Sequence, residues 1–220
     1  MWDKDTVIHL SPLKNFVFPS FQMAEKIKGI LAERKQNPFI EKGLYPKPSV
    51  FFGASQYEER TSEELENNLA IVHKTYADED YYELFEQNSY KVNLLVENKG
   101  NEYIEDATVE IEFPKIDGFF IADKIYPKPY HKSSPYELPP LRSDFENMYY
   151  PGVTEKNDSI LVRQTIGDIK HQIPINAFRV PIRIVIGHMV SGMTIEVKCK
   201  IFAKNLTQPV MTNVKIIIDD

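Results

Sequence analysis

The chain has 220 residues, with 26 Lys and Arg against 32 Asp and Glu, so its formal net charge is −6. Hydrophobic residues make up 42% and aromatic residues 12% of the chain, which excludes a disordered protein. A single cysteine excludes an internal disulfide framework and a cysteine-based zinc site. The classes that remain are a globular protein of one domain and a globular protein of one domain with an additional segment.

The first 88 residues are predicted to form a helical N-terminal segment. One helix is expected over 19–36, with Ser20 as its N-cap, and a second from Ser62 to about Tyr76, with a capping residue at Thr61 or Ser62. Apolar residues recur at helical spacing in both helices: Met23, Ile27, Ile30 and Leu31 in the first, Leu65, Leu69 and Val72 in the second. Ten acids against two basic residues fall within 57–88, so the negative charge is concentrated there.

From Ser89 onward the apolar residues recur with a period of two, which is typical of strands with one buried face. Tyr90 to Val96 and Ala107 to Phe113 are predicted to pair as a hairpin, with a turn at residues 98–101. Further strands are expected at 160–164, 182–186, 193–203 and 214–218. In the strand at 193–203, Ile195, Val197, Cys199 and Ile201 share one face and Glu196, Lys198 and Lys200 the other.

At least six strands without helices between them favour antiparallel pairing, because parallel neighbours need a long crossover. The sequence therefore predicts a mainly β fold, an antiparallel immunoglobulin-like β-sandwich over 89–220, preceded by the short helical segment 1–88. No stretch is apolar enough for a membrane helix, no signal peptide is recognised, and the lone cysteine fits a reducing compartment. We expect a cytoplasmic protein that does not bind a membrane.

Motifs for catalysis and cofactors are missing from the sequence. It contains no P-loop, no dinucleotide fingerprint and no nucleophile elbow, and its five histidines have no metal-ligand spacing. We therefore expect no catalytic residues, no metal and no cofactor. One alternative stays open: Glu196 and Lys198 have the E-x-K spacing of metal-dependent nucleases, in which a carboxylate holds the metal and a lysine orients the nucleophile.

A tract over 124–151 is rich in proline and aromatic residues and is predicted to be an extended loop. Its aromatic rings and basic groups are suited to binding a peptide, a partner protein or single-stranded nucleic acid. The tetrapeptide Tyr-Pro-Lys-Pro occurs in it, at 126–129, and once more at 45–48. The candidate binding residues are Tyr126, Lys128, Tyr130, His131, Tyr149 and Tyr150.

The stretch 94–101, Leu-Leu-Val-Glu-Asn-Lys-Gly-Asn, followed by 104–114, which ends in Phe113-Pro114, resembles a strand–turn–strand of uncharacterised bacterial proteins. Asp168-Ile169-Lys170-His171 and residues 201–206 resemble later corners of the same C-terminal module. In some of those proteins the module follows a Schlafen-like DNA-binding domain of the AlbA type. The resemblance implies a bacterial immunoglobulin-like accessory domain without a known activity.

The sequence as a whole favours a non-enzymatic binding or interaction module of a bacterial cytoplasmic protein, with a protein as its partner. Two alternatives remain. One is a metal-dependent nuclease-like hydrolase that uses Glu196 and Lys198, and the other is a nucleic-acid or peptide sensor that binds through the loop 124–151.

Overall fold

The structure, a computed structural model, describes residues 6–37, 57–130 and 145–220. The chain divides into two compact units. Met1–Asn15, Phe85–Ile125 and Ser143–Asp220 form one, which we call the sheet unit, and Phe16–Leu84 and Tyr126–Arg142 form the other, the helical unit. Both units are therefore assembled from segments that are far apart in sequence, whereas the sequence predicted a single boundary between 88 and 89.

The helical unit contains the two helices that the sequence predicts. Its elements are α1 (Pro19–Gln36), a 3₁₀ turn (Tyr57–Glu59), α2 (Ser62–Thr75) and α3 (Ala77–Tyr82). A π-helical turn, Glu83–Gln87, follows α3. Thr61 caps α2 as expected, since its side chain accepts a hydrogen bond from the Glu64 amide while the Glu64 carboxylate accepts one from the Thr61 amide.

A small hydrophobic core holds α1 and α2 together. The buried members are Ala24, Ile27, Leu65 and Val72, and partly buried Met23, Ile30, Leu31 and Leu69 pack against them. The expected N-cap at Ser20 is wrong: Phe18 occupies the N-cap position without a side-chain hydrogen bond, and Pro19 is the first helical residue. Ser20 lies inside the first turn and is buried.

The sheet unit contains eleven strands among the described residues. These are β1 (Thr6–Leu10), β2 (Tyr90–Val92), β3 (Leu95–Val96), β4 (Ile104–Pro114), β5 (Phe119–Ile121), β6 (Gly152–Glu155), β7 (Ser159–Ile169), β8 (Ile175–Asn176), β9 (Ile182–Ile186), β10 (Thr194–Phe202) and β11 (Val210–Ile218). The unit also includes α4 (Phe145–Tyr149) and a 3₁₀ turn, His188–Val190. The strands form a six-stranded sheet in the order β1-β11-β10-β4-β7-β6, a three-stranded sheet β2-β9-β5 and the pair β3-β8.

One hydrophobic core joins the two larger sheets. The six-stranded sheet contributes alternate residues of its central strands, such as Val109 and Ile111 of β4 and Val197 and Cys199 of β10. The three-stranded sheet contributes Ile182, Ile184 and Ile186 from β9. The strands expected at 160–164, 182–186, 193–203 and 214–218 are thus confirmed. The expected alternation of buried and exposed residues fails in β9, because all five of its residues are buried.

Strand pairing differs from the sequence prediction in two places. The hairpin between 90–96 and 107–113 is wrong, because β2 pairs with β9, β3 pairs with β8, and β4 lies between β7 and β10. β1 was not predicted, and it pairs with β11 in parallel, whereas the other strand pairs are antiparallel. The fold is rich in β-structure, consists of several sheets and carries a substantial helical part.

Candidate functional site

A groove of about 500 Å³ lies in the helical unit. α1 lines it with Pro19, Gln22, Met23 and Lys26, which follow the i, i+3, i+4, i+7 spacing of one helix face. α3 and the residues at its two ends contribute Tyr76, Glu79, Tyr82 and Glu83. Lys128 and Pro129 complete the lining.

The lining combines apolar surface with charges of both signs. Met23, Tyr82 and the two prolines provide the apolar part, while lysines and carboxylates provide the polar part. Lys26 forms an ion pair with Glu58, with 2.7 Å between Nζ and Oε1. The hydrogen bond from Lys26 lowers the pKa of the Glu58 carboxyl below its usual value. The groove therefore offers a surface for an amphipathic ligand.

Tyr76 brings an uncharged polar group to the groove. Its hydroxyl lies 3.3 Å from the hydroxyl of Tyr57, and the Arg60 guanidinium stacks over the Tyr57 ring at 4.1 Å from the centroid. Burial, together with the hydrogen bond to Tyr57, raises the pKa of Tyr76 well above its ordinary value. Tyr76 is therefore a neutral phenol over the whole physiological pH range.

Three of the predicted binding residues belong to the helical unit. The Tyr126 ring stacks on the ring of Tyr81, with 4.9 Å between the centroids and 18° between the planes. Lys128 lines the groove, and Tyr130 is half-buried. The fourth, His131, lies outside the described residues, as does the tract from 132 to 144.

The last two predicted binding residues belong to the sheet unit. Tyr149 is exposed, and the Arg179 guanidinium lies 5.4 Å from its ring centroid. Tyr150 is buried, and its hydroxyl donates to the carbonyl of Ala122 and accepts from the amide of Arg183. Desolvation raises the Tyr150 pKa. We assign Tyr150 a structural role, because its ring and its hydroxyl are both committed to the protein interior.

A serine and a histidine of the helical unit approach each other as in a nucleophile–base pair. Ser20 Oγ lies 3.0 Å from His73 Nδ1, and the Ser20 amide donates to Asp80 Oδ1 at 2.8 Å. Ser20 is only 1% exposed, so its hydroxyl cannot reach a substrate. These two hydrogen bonds, one from the Ser20 side chain and one from its backbone amide, instead connect α1 with α2 and α3.

The E-x-K pair belongs to a cross-strand charge pattern on the outer face of the six-stranded sheet. Glu196 of β10 lies opposite Lys215 of β11, and Lys198 lies opposite Glu112 of β4. Lys200 Nζ lies 3.7 Å from Glu110 Oε1 and 3.6 Å from Glu112 Oε2. Opposite charges in facing positions stabilise a sheet, which is a sufficient reason for these residue types.

The motifs that carry the family resemblance meet at corners of the sheet unit. Asn98 is buried, and its side chain donates to the carbonyls of Glu102 and Ile169 while accepting from the Gly100 amide. Asp168 accepts from the Asp106 amide and the Tyr103 hydroxyl, at 2.9 and 3.2 Å. These bonds fix the irregular start of β4, where the register with β7 shifts and Asp106 has a φ of 50°.

Two further kinds of group bear on chemistry in the described residues, namely possible metal ligands and the cysteine thiol. In residues 6–37, 57–130 and 145–220, no three His, Cys, Asp or Glu side chains are grouped closely enough to hold a metal ion. Burial raises the pKa of the Cys199 thiol to about 11, which keeps it protonated and unreactive at neutral pH. None of the helices in the same part of the chain combines the length and apolar composition of a membrane span.

Comparison of the chain with protein-family models, with curated proteins and with solved structures gives no match. Of the residues that line the groove, the sequence indicated Lys128 but missed Met23, Tyr76, Glu79 and Tyr82, because they come from elements that meet only in the folded chain. The available signal was the face of α1 at positions 19, 22, 23 and 26, which shares Met23 with the core-facing stripe.

Proposed function

We propose that this protein is a non-enzymatic binding module and that its partner is a protein, bound at the helical unit. The groove between α1 and α3 carries the proposal. Its volume of about 500 Å³ lies in the range of ligand pockets, which are mostly apolar with a few placed polar groups. Met23, Tyr82 and the prolines provide the apolar surface, and the lysines and glutamates provide the polar groups.

An exposed apolar patch at the start of α1 supports a protein as the partner. Val17, Phe18 and Phe21 are 46%, 42% and 51% exposed, and the ring of Phe16 packs edge-to-face on Phe18 at a centroid distance of 4.9 Å. Aromatic residues are enriched where protein surfaces meet. Exposed apolar groups that lie together on a protein surface are typical of interaction sites.

The charge of the groove favours a protein over a nucleic acid. Its lining carries two lysines, Lys26 and Lys128, and two glutamates, Glu79 and Glu83, so the positive and negative charges balance. Nucleic-acid binding depends on neutralising phosphates with lysine and arginine. A groove without an excess of positive charge lacks that source of affinity, whereas charges of both signs suit a protein partner.

We further propose that the sheet unit is an immunoglobulin-like sandwich. In that fold, strands B and E are neighbours in one sheet, while C, F and G are neighbours in the other. β2 and β9 pair in the three-stranded sheet, and β4, β10 and β11 are consecutive in the six-stranded sheet. Taken in chain order as B, C, E, F and G, these strands satisfy that pattern, with β7 added at the edge of β4.

The corner hydrogen bonds of Asn98 and Asp168 support the proposed kinship with the C-terminal module of bacterial proteins. The residues of the shared motifs are the ones that fix these corners.

A cytoplasmic location belongs to the same proposal. It is supported by Cys199, the one cysteine of the chain, which is a free buried thiol.

The proposal is tested by selecting peptides on the purified protein from a displayed random library and titrating the selected peptides by fluorescence anisotropy. We expect Met23→Glu to weaken their binding about tenfold or more, because it places a charge in the apolar part of the groove. Met23 also packs against the small core of the helical unit, so circular dichroism checks that the variant stays folded, and Met23→Gln serves as a second variant that adds a polar group without a charge. Ile71→Glu is the matched control, since Ile71 is an exposed apolar residue of α2 outside the groove. A library that yields no binder, or binders equally affected by both substitutions, contradicts the proposal.

A further inference from the structure

β1 lies at one edge of the six-stranded sheet. Its neighbour in the strand order is β11, and the described residues place no strand on its other side. The parallel ladder with β11 covers all five residues, Thr6 to Leu10, without a shift in register. β1 is therefore a regular strand with one side of its backbone at the edge of the sheet.

Two observations fix the direction of the backbone groups in β1. The Leu10 carbonyl accepts a hydrogen bond from the Asp219 amide at 2.8 Å, so Leu10 directs its groups towards β11. The next residue, Ser11, points the other way. Its amide donates to the Tyr90 hydroxyl at 3.0 Å, and its carbonyl accepts from the same hydroxyl at 3.1 Å.

The open edge of β1 consists of the amides and carbonyls of Val7 and His9. Backbone groups of successive strand residues point to opposite sides, so these two residues direct theirs away from β11, as Ser11 does. The Tyr90 hydroxyl satisfies Ser11 and ends the open edge there. Two donors and two acceptors in a row form a template on which another strand can pair.

β1 lacks the features that protect edge strands. Its sequence, Thr-Val-Ile-His-Leu, contains no proline and no lysine, and its ladder contains no bulge. Val7 is 41% exposed. The opposite edge strand, β6, follows Pro151 directly and ends at Glu155, whose carboxylate pairs with Lys115. The chain thus protects one edge of this sheet and leaves the other suited to pairing.

We propose that two copies of this chain associate through β1, with the two strands antiparallel and the two six-stranded sheets joined into one. One register is self-complementary. When Ile8 of both copies lies on the twofold axis, Val7 of each copy faces His9 of the other. Each facing pair exchanges two hydrogen bonds, so the open edge of each copy is used completely. A symmetric pairing of this kind closes on itself as a dimer, which is the commonest form of oligomer.

The side chains of β1 favour a second copy as the occupant of this edge. Ile8 is half-buried and packs against the core of the sheet unit, so two Ile8 side chains that meet on the axis remove further apolar surface from water. Val7 and His9 share the opposite face of the strand, where the exposed Val7 side chain lies beside the imidazole of the second copy. No like charges face each other in this register.

The test is sedimentation velocity of the full chain over a series of protein concentrations, for which we expect a monomer–dimer equilibrium. Val7→Pro is expected to weaken the dimer about tenfold or more, because proline removes the Val7 amide donor from both copies and with it two of the four hydrogen bonds. The ladder with β11 is spared, since the Val7 amide points away from it. Edge strands tolerate proline at such positions.

Val153→Pro is the matched control, because it makes the same substitution at an outward-facing amide of β6. The Lys156 amide donates to the Ser159 carbonyl at 2.8 Å, so the alternation along the strand directs the Val153 amide away from β7. We expect this variant to dimerise like the unchanged protein. Circular dichroism checks that both variants are folded.

Amide hydrogen exchange of the unmodified protein gives a measurement that depends on no variant. The Val7 and His9 amides are expected to be protected at high protein concentration and to exchange faster on dilution. A chain that is monomeric at every concentration overturns the proposal, and protected Val7 and His9 amides in that monomer would mean that another segment of the chain covers the edge. A dimer that both proline variants affect equally also overturns it, because the contact then lies elsewhere. Neither result bears on the groove of the helical unit, so the proposed function is tested separately.

Discussion

Asn98 illustrates how one buried polar side chain organises a corner of the sheet unit. The side chain is 6% exposed, and its amide nitrogen donates to the carbonyl oxygens of Glu102 and Ile169, at 2.7 and 3.3 Å. Its oxygen accepts from the amide of Gly100 at 3.0 Å, which closes the turn. A buried group with these partners requires a donor and an acceptor at fixed positions, which is the chemistry of an amide side chain.

Asn98→Asp is expected to destabilise the protein by about 3 kcal/mol, because it replaces the donor by a carboxylate that faces two carbonyl oxygens in a buried site. The free energy of unfolding from urea titrations measures the effect. Asn101→Asp makes the same change on an exposed residue of the same turn, and we expect it to cost less than about 0.5 kcal/mol. Similar losses for the two variants would show that the corner hydrogen bonds do not matter.

The residue type alone does not distinguish a tyrosine that is available for binding a partner from a tyrosine that stabilises the fold. Tyr126 and Tyr150 both lie in the proline-rich tract, and both have the amphipathic ring that favours binding. Tyr126 stacks on Tyr81 beside a groove, whereas Tyr150 is buried with both hydrogen-bonding capacities of its hydroxyl used within the protein. The difference depends on the position of Ala122 and Arg183, which the local sequence does not encode.

At the scale of single elements, the alternation of β10 is enough to explain the E-x-K spacing of Glu196 and Lys198. The same spacing occurs at the catalytic site of metal-dependent nucleases. The inward residues of β10 are buried, and each of its three charged outward residues lies opposite a residue of opposite charge on β4 or β11. Glu196 lies opposite Lys215, and Lys198 lies opposite Glu112. The two carboxylates and two lysines thus alternate across the three strands, which stabilises the antiparallel register.

Glu196→Lys is expected to lower the free energy of unfolding by about 0.5 to 1 kcal/mol, because it creates a like-charge pair with Lys215. The charge swap Glu196→Lys with Lys215→Glu is expected to recover most of this loss, which a double-mutant cycle of urea unfolding measures. A swap that recovers nothing would argue against the pair. A Mg²⁺-dependent nuclease activity that Glu196→Gln abolishes would restore the nuclease alternative.

Elements defined by local interactions were predictable, and non-local pairings were not. The helix α2 begins at its capping box, and Thr61 and Glu64 are enough to recognise it. The alternation of β10 likewise identifies its buried face. The partners of β4 could not be predicted, because β7 and β10 are separated from it by intervening segments and a short turn at 98–101 favoured a hairpin instead. β1 could not be predicted either, because it has only five residues and is defined as a strand by its pairing with β11.

At the scale of the whole molecule, the sheet unit depends on segments that precede residue 89. β1 covers the edge of β11 and buries Leu10 in the core. Glu86 forms a buried ion pair with Arg183, with 3.2 Å between Nη2 and Oε2. The other side of that guanidinium donates to the carbonyl of Pro181. Loss of Glu86 therefore leaves a buried charge without its carboxylate.

A fragment of residues 89–220 is therefore expected to be much less stable than a fragment in which residues 1–15 are joined by a flexible linker to residues 85–220. Breaking a buried ion pair from one side costs about 3–5 kcal/mol, and the loss of β1 adds to this. Urea unfolding followed by circular dichroism compares the two fragments. Glu86→Ala in the full chain isolates the ion pair, with Glu155→Ala as the control, since Glu155 pairs with Lys115 at the surface. Equal midpoints for the two fragments would mean that the sheet unit is complete from residue 89, and that the sequence periodicity alone located its boundary correctly.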